Sequence, residues 1–140
     1  MKIKSIPFNQ LIGLTPAEPP RILTLDQSDR LTNHLGTVHA SAQLALAEAT
    51  SGQVLINRFG ESTDETLVVV RRVEAKFRAP LLGRVVSRTS ISDDALRVFS
   101  EKLNSRGRAS VSIPVEVLDE HENVGLVATI EWFSQRRIES

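Results

Sequence analysis

The chain contains no cysteine, which excludes disulfides, thiolate nucleophiles and cysteine-ligated metal. That absence leaves the redox compartment open and fits a cytoplasmic protein. Seventeen basic side chains stand against seventeen acidic ones, so no global charge points to nucleic acid or to an anionic membrane surface. No apolar run approaches the length needed to span a bilayer. The basic start Met1-Lys2-Ile3-Lys4 is interrupted by Pro7, Asn9 and Gln10 before a secretory apolar core could form. Also missing are a phosphate-binding glycine loop, a serine-nucleophile motif and histidines at the helical spacing of zinc sites. A length of 140 residues then predicts one soluble domain, with about two-thirds of its unfolded surface buried in a single core.

What is present is concentrated in residues 33–52, which read N-H-L-G-T-V-H-A-S-A-Q-L-A-L-A-E-A-T-S-G. Val38, Ala40, Ala42, Leu44, Ala45, Leu46, Ala47 and Ala49 make a helix that is apolar around its whole circumference, and such a helix is normally wrapped by other structure. Into it the sequence puts one carboxylate, Glu48, behind a polar lead-in from Asn33 to His39. Polar groups in an apolar setting carry a free-energy cost unless they are paired or used. A solvated glutamate near a helix end is the plain reading of Glu48; a working carboxylate is the other.

Thr37 is typed as the N-cap of this helix, and Gly52 or, past a tolerated glycine, Gly60 as its end. Upstream, the apolar set Ile6, Phe8, Leu11, Ile12 and Leu14 ends in Pro16, Pro19 and Pro20, so residues 1–20 are expected as a segment packed on the outside. Residues 21–26 read as a first strand. From Thr66 the period becomes two, with Leu67, Val69, Arg71, Val73, Ala75 and Phe77 on one face and Val68, Val70, Arg72, Glu74, Lys76 and Arg78 on the other. Pro80 ends that strand and Gly83 begins the next, over residues 84–91. Ser92 caps a short helix whose inward face is Leu96, Phe99 and Leu103, and Gly107 breaks it. Two further strands alternate inward at Ala109, Val111, Ile113, Val115 and Val117, then at Val124, Leu126, Ala128, Ile130 and Trp132. Pro114 within the first of these predicts an edge, a bulge or an unpaired amide. Strands in direct succession favour an antiparallel sheet, and a nearly all-apolar helix needs enclosure. The fold class is therefore α+β, and a curved antiparallel sheet wrapped around a long central helix meets both demands, with other α+β arrangements left open by periodicity alone.

The same residues carry a family resemblance. N-x-x-G-T-V-H-A-S followed by an alanine-rich helix with an acid nine positions after the histidine resembles hotdog-fold acyl-CoA thioesterases of the phenylacetyl-CoA and 4-hydroxybenzoyl-CoA type, and within them a small bacterial branch. The resemblance implies the hotdog fold and thioester hydrolysis, with an acid at the position of Glu48 that attacks the carbonyl or activates water; either role needs an ionised carboxylate. Asn33 matches the family's amide-bearing orienting residue, an ordinary loop asparagine being the alternative. The Ala40 amide, at the positive end of the helix dipole, is the candidate oxyanion donor. The family commonly has glycine at this position and the next; here Ala40 and Ser41 keep the amides and narrow the approach. His39 takes a supporting part in the catalytic set. Gly36, serving the turn, Ser41, and Ser51, placed to help position water, make up the substrate-binding set.

His39 and Glu48 lie nine residues apart, on opposite sides of the helix and about 13 Å apart along its axis. They cannot serve one thioester from one copy, so a homo-oligomer is expected, a dimer or a dimer of dimers, with sites across the interface. The expected partner is an acyl-CoA or acyl-carrier thioester. No metal or separate cofactor is expected, coenzyme A entering only as part of the substrate. Arg71, Arg72, Arg78, Arg84 and Arg88 are candidates for its phosphates or simply a solvated face. His121 among Asp119, Glu120 and Glu122 reads as a hairpin turn rather than a metal cluster. A non-catalytic hotdog module that binds such thioesters, or acts as an oligomeric partner domain, is the alternative function.

Overall fold

The apolar helix runs over Ala40–Phe59 in a computed structural model that describes residues 2–60 and 65–137. Its N-cap is His39, not Thr37: the imidazole Nδ1 accepts the Ser41 amide at 2.9 Å. Thr37 is held back in the loop, where its amide and hydroxyl bond the Asn33 side chain. The next residue stays extended because the Val38 amide donates to the Leu81 carbonyl at 2.9 Å. The helix passes through Gly52 and stops at Gly60, whose φ of 81° few other residues adopt.

In chain order the elements are α1 (Pro7–Ile12), β1 (Thr15–Pro16), β2 (Leu23–Asp26), α2 (Ala40–Phe59), β3 (Thr66–Phe77), β4 (Arg84–Thr89), α3 (Asp93–Arg106), β5 (Arg108–Asp119) and β6 (Val124–Arg136), with 3-10 turns at Ile3–Ser5 and Asp29–Leu31. The strands form one antiparallel sheet in the order β1-β2-β4-β5-β6-β3. The sheet curves around α2, which packs on β2, β4, β5 and β6. Leu46, Ala47 and Ala49 meet Leu25, Val85, Ile113, Val115, Leu126 and Ile130 in one buried cluster. Each fully buried Leu or Ile there stabilises the fold by about 1.5–3 kcal/mol. The small side chains of the buried Ala42, Ala47 and Ala49 let the backbone approach the sheet closely.

The N-terminal segment covers the outside with Phe8 and Leu11 exposed, yet it also inserts Ile3 and Leu14 into the core. Pro114 falls opposite Thr129 of β6, and on its other side β4 has already ended at Thr89, whose hydroxyl donates to the Pro114 carbonyl at 2.6 Å. The missing amide thus lies where no ladder bond was available.

The expected alternation of β3 breaks at Arg71. A bulge between Val70 and Arg72 leaves Arg71 out of the ladder, its guanidinium 4.9 Å from the Phe133 ring centre. One extra residue shifts the phase. Val68 lies opposite Ser134 and Val70 opposite Trp132, while Val73, Ala75 and Phe77 lie opposite Ile130, Ala128 and Leu126, all inward residues of β6. Two sets of side chains assigned to opposite faces by the sequence period therefore share the concave face. Val68 and Val70 are half-buried there, whereas Val73 (41%) and Phe77 (48%) are exposed, at the outer edge of the sheet.

Candidate active site

Residues 33–37 close on themselves around one side chain. Asn33 Oδ1 accepts from the Leu35 amide at 2.9 Å and the Thr37 amide at 3.0 Å, and Nδ2 donates to Thr37 Oγ1 at 2.8 Å. These are the bonds of a loop-forming asparagine; one amide hydrogen is left with no acceptor among the described residues. Gly36 takes φ 80° in this loop, and its carbonyl accepts from Gln27 Nε2 at 3.0 Å.

The loop delivers the chain to the start of α2. The Ala42 and Gln43 amides both donate to the His39 carbonyl, at 3.0 and 3.1 Å, and the Ser41 amide is taken by His39 Nδ1. Ala40 is exposed, and its amide has no acceptor among the described residues. Of the first-turn donors left over by helix geometry, this is the one still open to a ligand. His39 acts here as the residue that fixes the helix start, with Nδ1 the acceptor.

Two turns on, Ser41, Ala45 and Glu48 share the side of α2 opposite the buried Leu46 and Thr50, and the sheet leaves this strip uncovered. Glu48 is half-buried, and its carboxylate has no hydrogen-bond or ion-pair partner among the described residues. Burial pushes its pKa up from the ordinary glutamate value, because desolvation penalises the charged form. It lies eight residues from Ala40, about 12 Å along the axis, so the two groups of one chain do not converge.

Ser51 is fully buried. Its hydroxyl donates to the Glu48 carbonyl at 2.6 Å and accepts from Trp132 Nε1 at 2.8 Å, so both bonds are internal and anchor the turn that carries Glu48. Gln43 was missed by the sequence reading, although it is an isolated amide in the same apolar run. It is 3% exposed, with Nε2 3.4 Å from the Val38 carbonyl and Oε1 unpartnered. Beyond Ser51 an apolar cavity of about 310 Å³ opens between the second half of α2, α3 and the β6–β3 pair.

The arginines are mostly engaged. Arg84 pairs with Asp26 at 2.8 Å, Arg88 with Glu116 at 3.0 Å and Arg72 with Glu74, while Arg71 stacks on Phe133. Arg78 has no ion-pair partner among the described residues. The turn containing His121 is organised by Asp119, whose carboxylate accepts from the His121 and Asn123 amides at 2.9 Å and from Asn123 Nδ2 at 3.1 Å. No helix among the described residues is long and apolar enough to cross a membrane.

Residues 21–133, from just before β2 through most of β6, match the family described as a domain of unknown function, DUF4442. The chain belongs to this family. No protein of curated function matches the DUF4442 chain. Among solved structures it is similar to a Pseudomonas aeruginosa protein described as a probable thioesterase, with a TM-score of 0.81 and 22% identity over 96% of this chain and 91% of that one. A Bacillus halodurans protein solved with CoA superposes at a TM-score of 0.67 and 14% identity, over 91% and 74% of the two chains. A Staphylococcus aureus thioesterase, solved as a glutamine-to-alanine and as a glutamate-to-alanine mutant, gives 0.65 and 10% over 91% and 98% in the first of these. At such identities the likeness is one of fold, and the DUF4442 chain has the hotdog fold.

Proposed function

We propose that this protein hydrolyses acyl thioesters carried on coenzyme A or an acyl carrier, in the manner of phenylacetyl-CoA and 4-hydroxybenzoyl-CoA thioesterases. One observation carries the reading: a partnerless, half-buried carboxylate, Glu48, lies on the strip of the enclosed helix that its own sheet leaves open. The thioesterase likeness of the fold supports it. So does a spacing: the glutamine and glutamate replaced in the Staphylococcus aureus thioesterase are fifteen residues apart, as are Asn33 and Glu48.

In this reading the Glu48 carboxylate takes a proton from the attacking water, or attacks the carbonyl itself. The Ala40 amide donates to the oxyanion, a contribution of about 2.7–4 kcal/mol where such donors have been removed. In the first route the C–S bond then breaks and the thiol leaves with the proton that Glu48 took from water; in the second the thiolate leaves, and water cleaves the acyl–Glu48 anhydride, restoring the carboxylate and supplying the thiolate's proton. Asn33, held in its loop by three bonds, orients the carbonyl or the water through its remaining amide hydrogen, and His39 holds the Ala40 turn in place. Gly36 and Ser41 border the thioester, with Ser51 fixing the Glu48 turn from behind. Arg78 is the favoured contact for the phosphates of coenzyme A.

Because Glu48 and the Ala40 amide diverge on one helix, each site takes one from each of two copies. The uncovered concave residues Val73, Ala75 and Phe77 on the free edge of β3 are the surface a second copy would cover.

The test is a broad acyl-CoA panel run on wild type, Glu48→Ala and Glu48→Gln, with mass measured in solution. Turnover lost in both variants of an oligomer supports the reading. No turnover on any member, or activity that survives both substitutions, overturns it; tight binding without turnover leaves a non-catalytic acyl-thioester module.

A further inference from the structure

We infer that the cavity at the far end of α2 is the binding site for the apolar end of the acyl group, in a pocket built within one protomer. This rests on the thioesterase reading for the position of the carbonyl. Glu48, Gly52, Leu55 and Phe59 follow at intervals of four, three and four residues and so form one stripe of the helix. The last three line the cavity. Its floor is therefore the continuation of the surface that presents the carboxylate, beginning about 6 Å further along the axis.

Phe99 and Leu103 of α3 and Trp132 of β6 supply the other walls. Among the described residues no acidic or basic side chain lines the cavity, so an ionised or phosphorylated group would be desolvated against them without a partner. The coenzyme must stay outside and only an apolar tail can enter. At about 30 Å³ per water-sized group, 310 Å³ holds about ten heavy atoms, a medium-length acyl or a substituted aryl-acyl group. Gly52 lies where the stripe meets the cavity, close against its walls: a Cβ there would lie 3.0 Å from Ile3 Cδ1 and 3.4 Å from the Trp132 ring. Ile3, itself a lining residue, lies at the Gly52 end of the cavity, the end nearest Glu48.

Trp132 is the single tryptophan and there is no tyrosine, so its emission reads the cavity directly. The experiment titrates wild type and Glu48→Gln with decanoic acid, decanoyl-CoA, phenylbutyric acid, acetyl-CoA and coenzyme A. A saturable change in Trp132 emission is expected from the first three probes in both proteins, and none from the last two. Ser100→Phe, which fills the cavity from α3, is expected to weaken the decanoic acid response by about tenfold or more and to lower the ratio of decanoyl-CoA to acetyl-CoA turnover. Silence towards decanoic acid, an equal response to coenzyme A alone, or a decanoic acid affinity unchanged in folded Ser100→Phe overturns the assignment; should that variant not fold, the wild-type titration decides alone. Turnover without any chain-length preference or emission change removes the cavity and leaves the hydrolase. Decanoic acid binding without turnover on any thioester removes the hydrolase and leaves the cavity.

Discussion

The indole Nε1 of Trp132 donates to the hydroxyl of Ser51 at 2.8 Å across 81 residues of sequence, and that hydroxyl donates in turn to the carbonyl of Glu48. One buried serine thereby ties the sheet to the helical turn that bears the candidate carboxylate. Ser51→Ala leaves the indole N–H without its acceptor, which should lower stability by about 1–3 kcal/mol. Trp132→Phe removes donor and demand together, so the double variant should lose less than the sum of the two single losses. Urea midpoints of the four proteins check this, and strict additivity would show that the bond contributes nothing.

Glu48 should make stability depend on pH in an unusual direction. Its folded pKa is raised by burial, so the folded chain holds this proton to higher pH than the unfolded chain does. Stability from this group is intact below the unfolded pKa of about 4.3 and is lost as pH rises through the folded value. Glu48→Gln should therefore be more stable than wild type at pH 8 and close to it at pH 4, while thioester turnover falls by about 10²–10⁴-fold. An identical stability difference at both pH values would refute the linkage.

The acid limb of the wild-type pH–rate profile should follow the same group. A base or nucleophile works ionised, so kcat/KM is expected to rise with pH through a midpoint above the ordinary glutamate range, and to rise with the same midpoint on different thioesters.

His39→Ala should destabilise the chain by about 1 kcal/mol through loss of the helix cap, and His39→Asn should restore most of it, because the asparagine oxygen can accept the Ser41 amide. If alanine and asparagine behave alike in thermal melts, the cap seen at 2.9 Å carries no stability.

Two glycines should respond differently to alanine. At Gly125 the added carbon would fall 2.5 Å from Leu81 Cδ1 and 3.0 Å from the Ala79 carbonyl oxygen, so a loss of about 1–3 kcal/mol is expected from overpacking. At Gly52 the nearest atom is the end of the flexible Ile3 side chain, and the helix gains about 1 kcal/mol of propensity, so the net change should be small. Chemical denaturation of both variants measures the contrast.

Much of the fold is legible in the chain. The wrapped helix, the Ser92 cap of α3, the inward residues of β5 and β6 and the odd position of Glu48 all follow from patterns spanning a few residues, while the end of the helix stays open between Gly52 and Gly60 on the sequence alone. Helix and strand periods are written at spacings of two to four, and capping chemistry at spacings of two or three, so these features need no knowledge of the rest of the chain.

What only the tertiary structure decided involves residues far apart. The cap moved from Thr37 to His39 because Asn33 claims one and Leu81 holds Val38 extended. Residues of β3 from both sets of its two-residue period share the concave face because pairing with β6 admits a bulge at Arg71. Ser51 anchors the Glu48 turn because Trp132 arrives from the last strand. The amino-acid order determined which segments are helix and strand and which carboxylate stands out among apolar neighbours; sheet register and close packing, which depend on distant segments meeting, determined what each of those side chains touches.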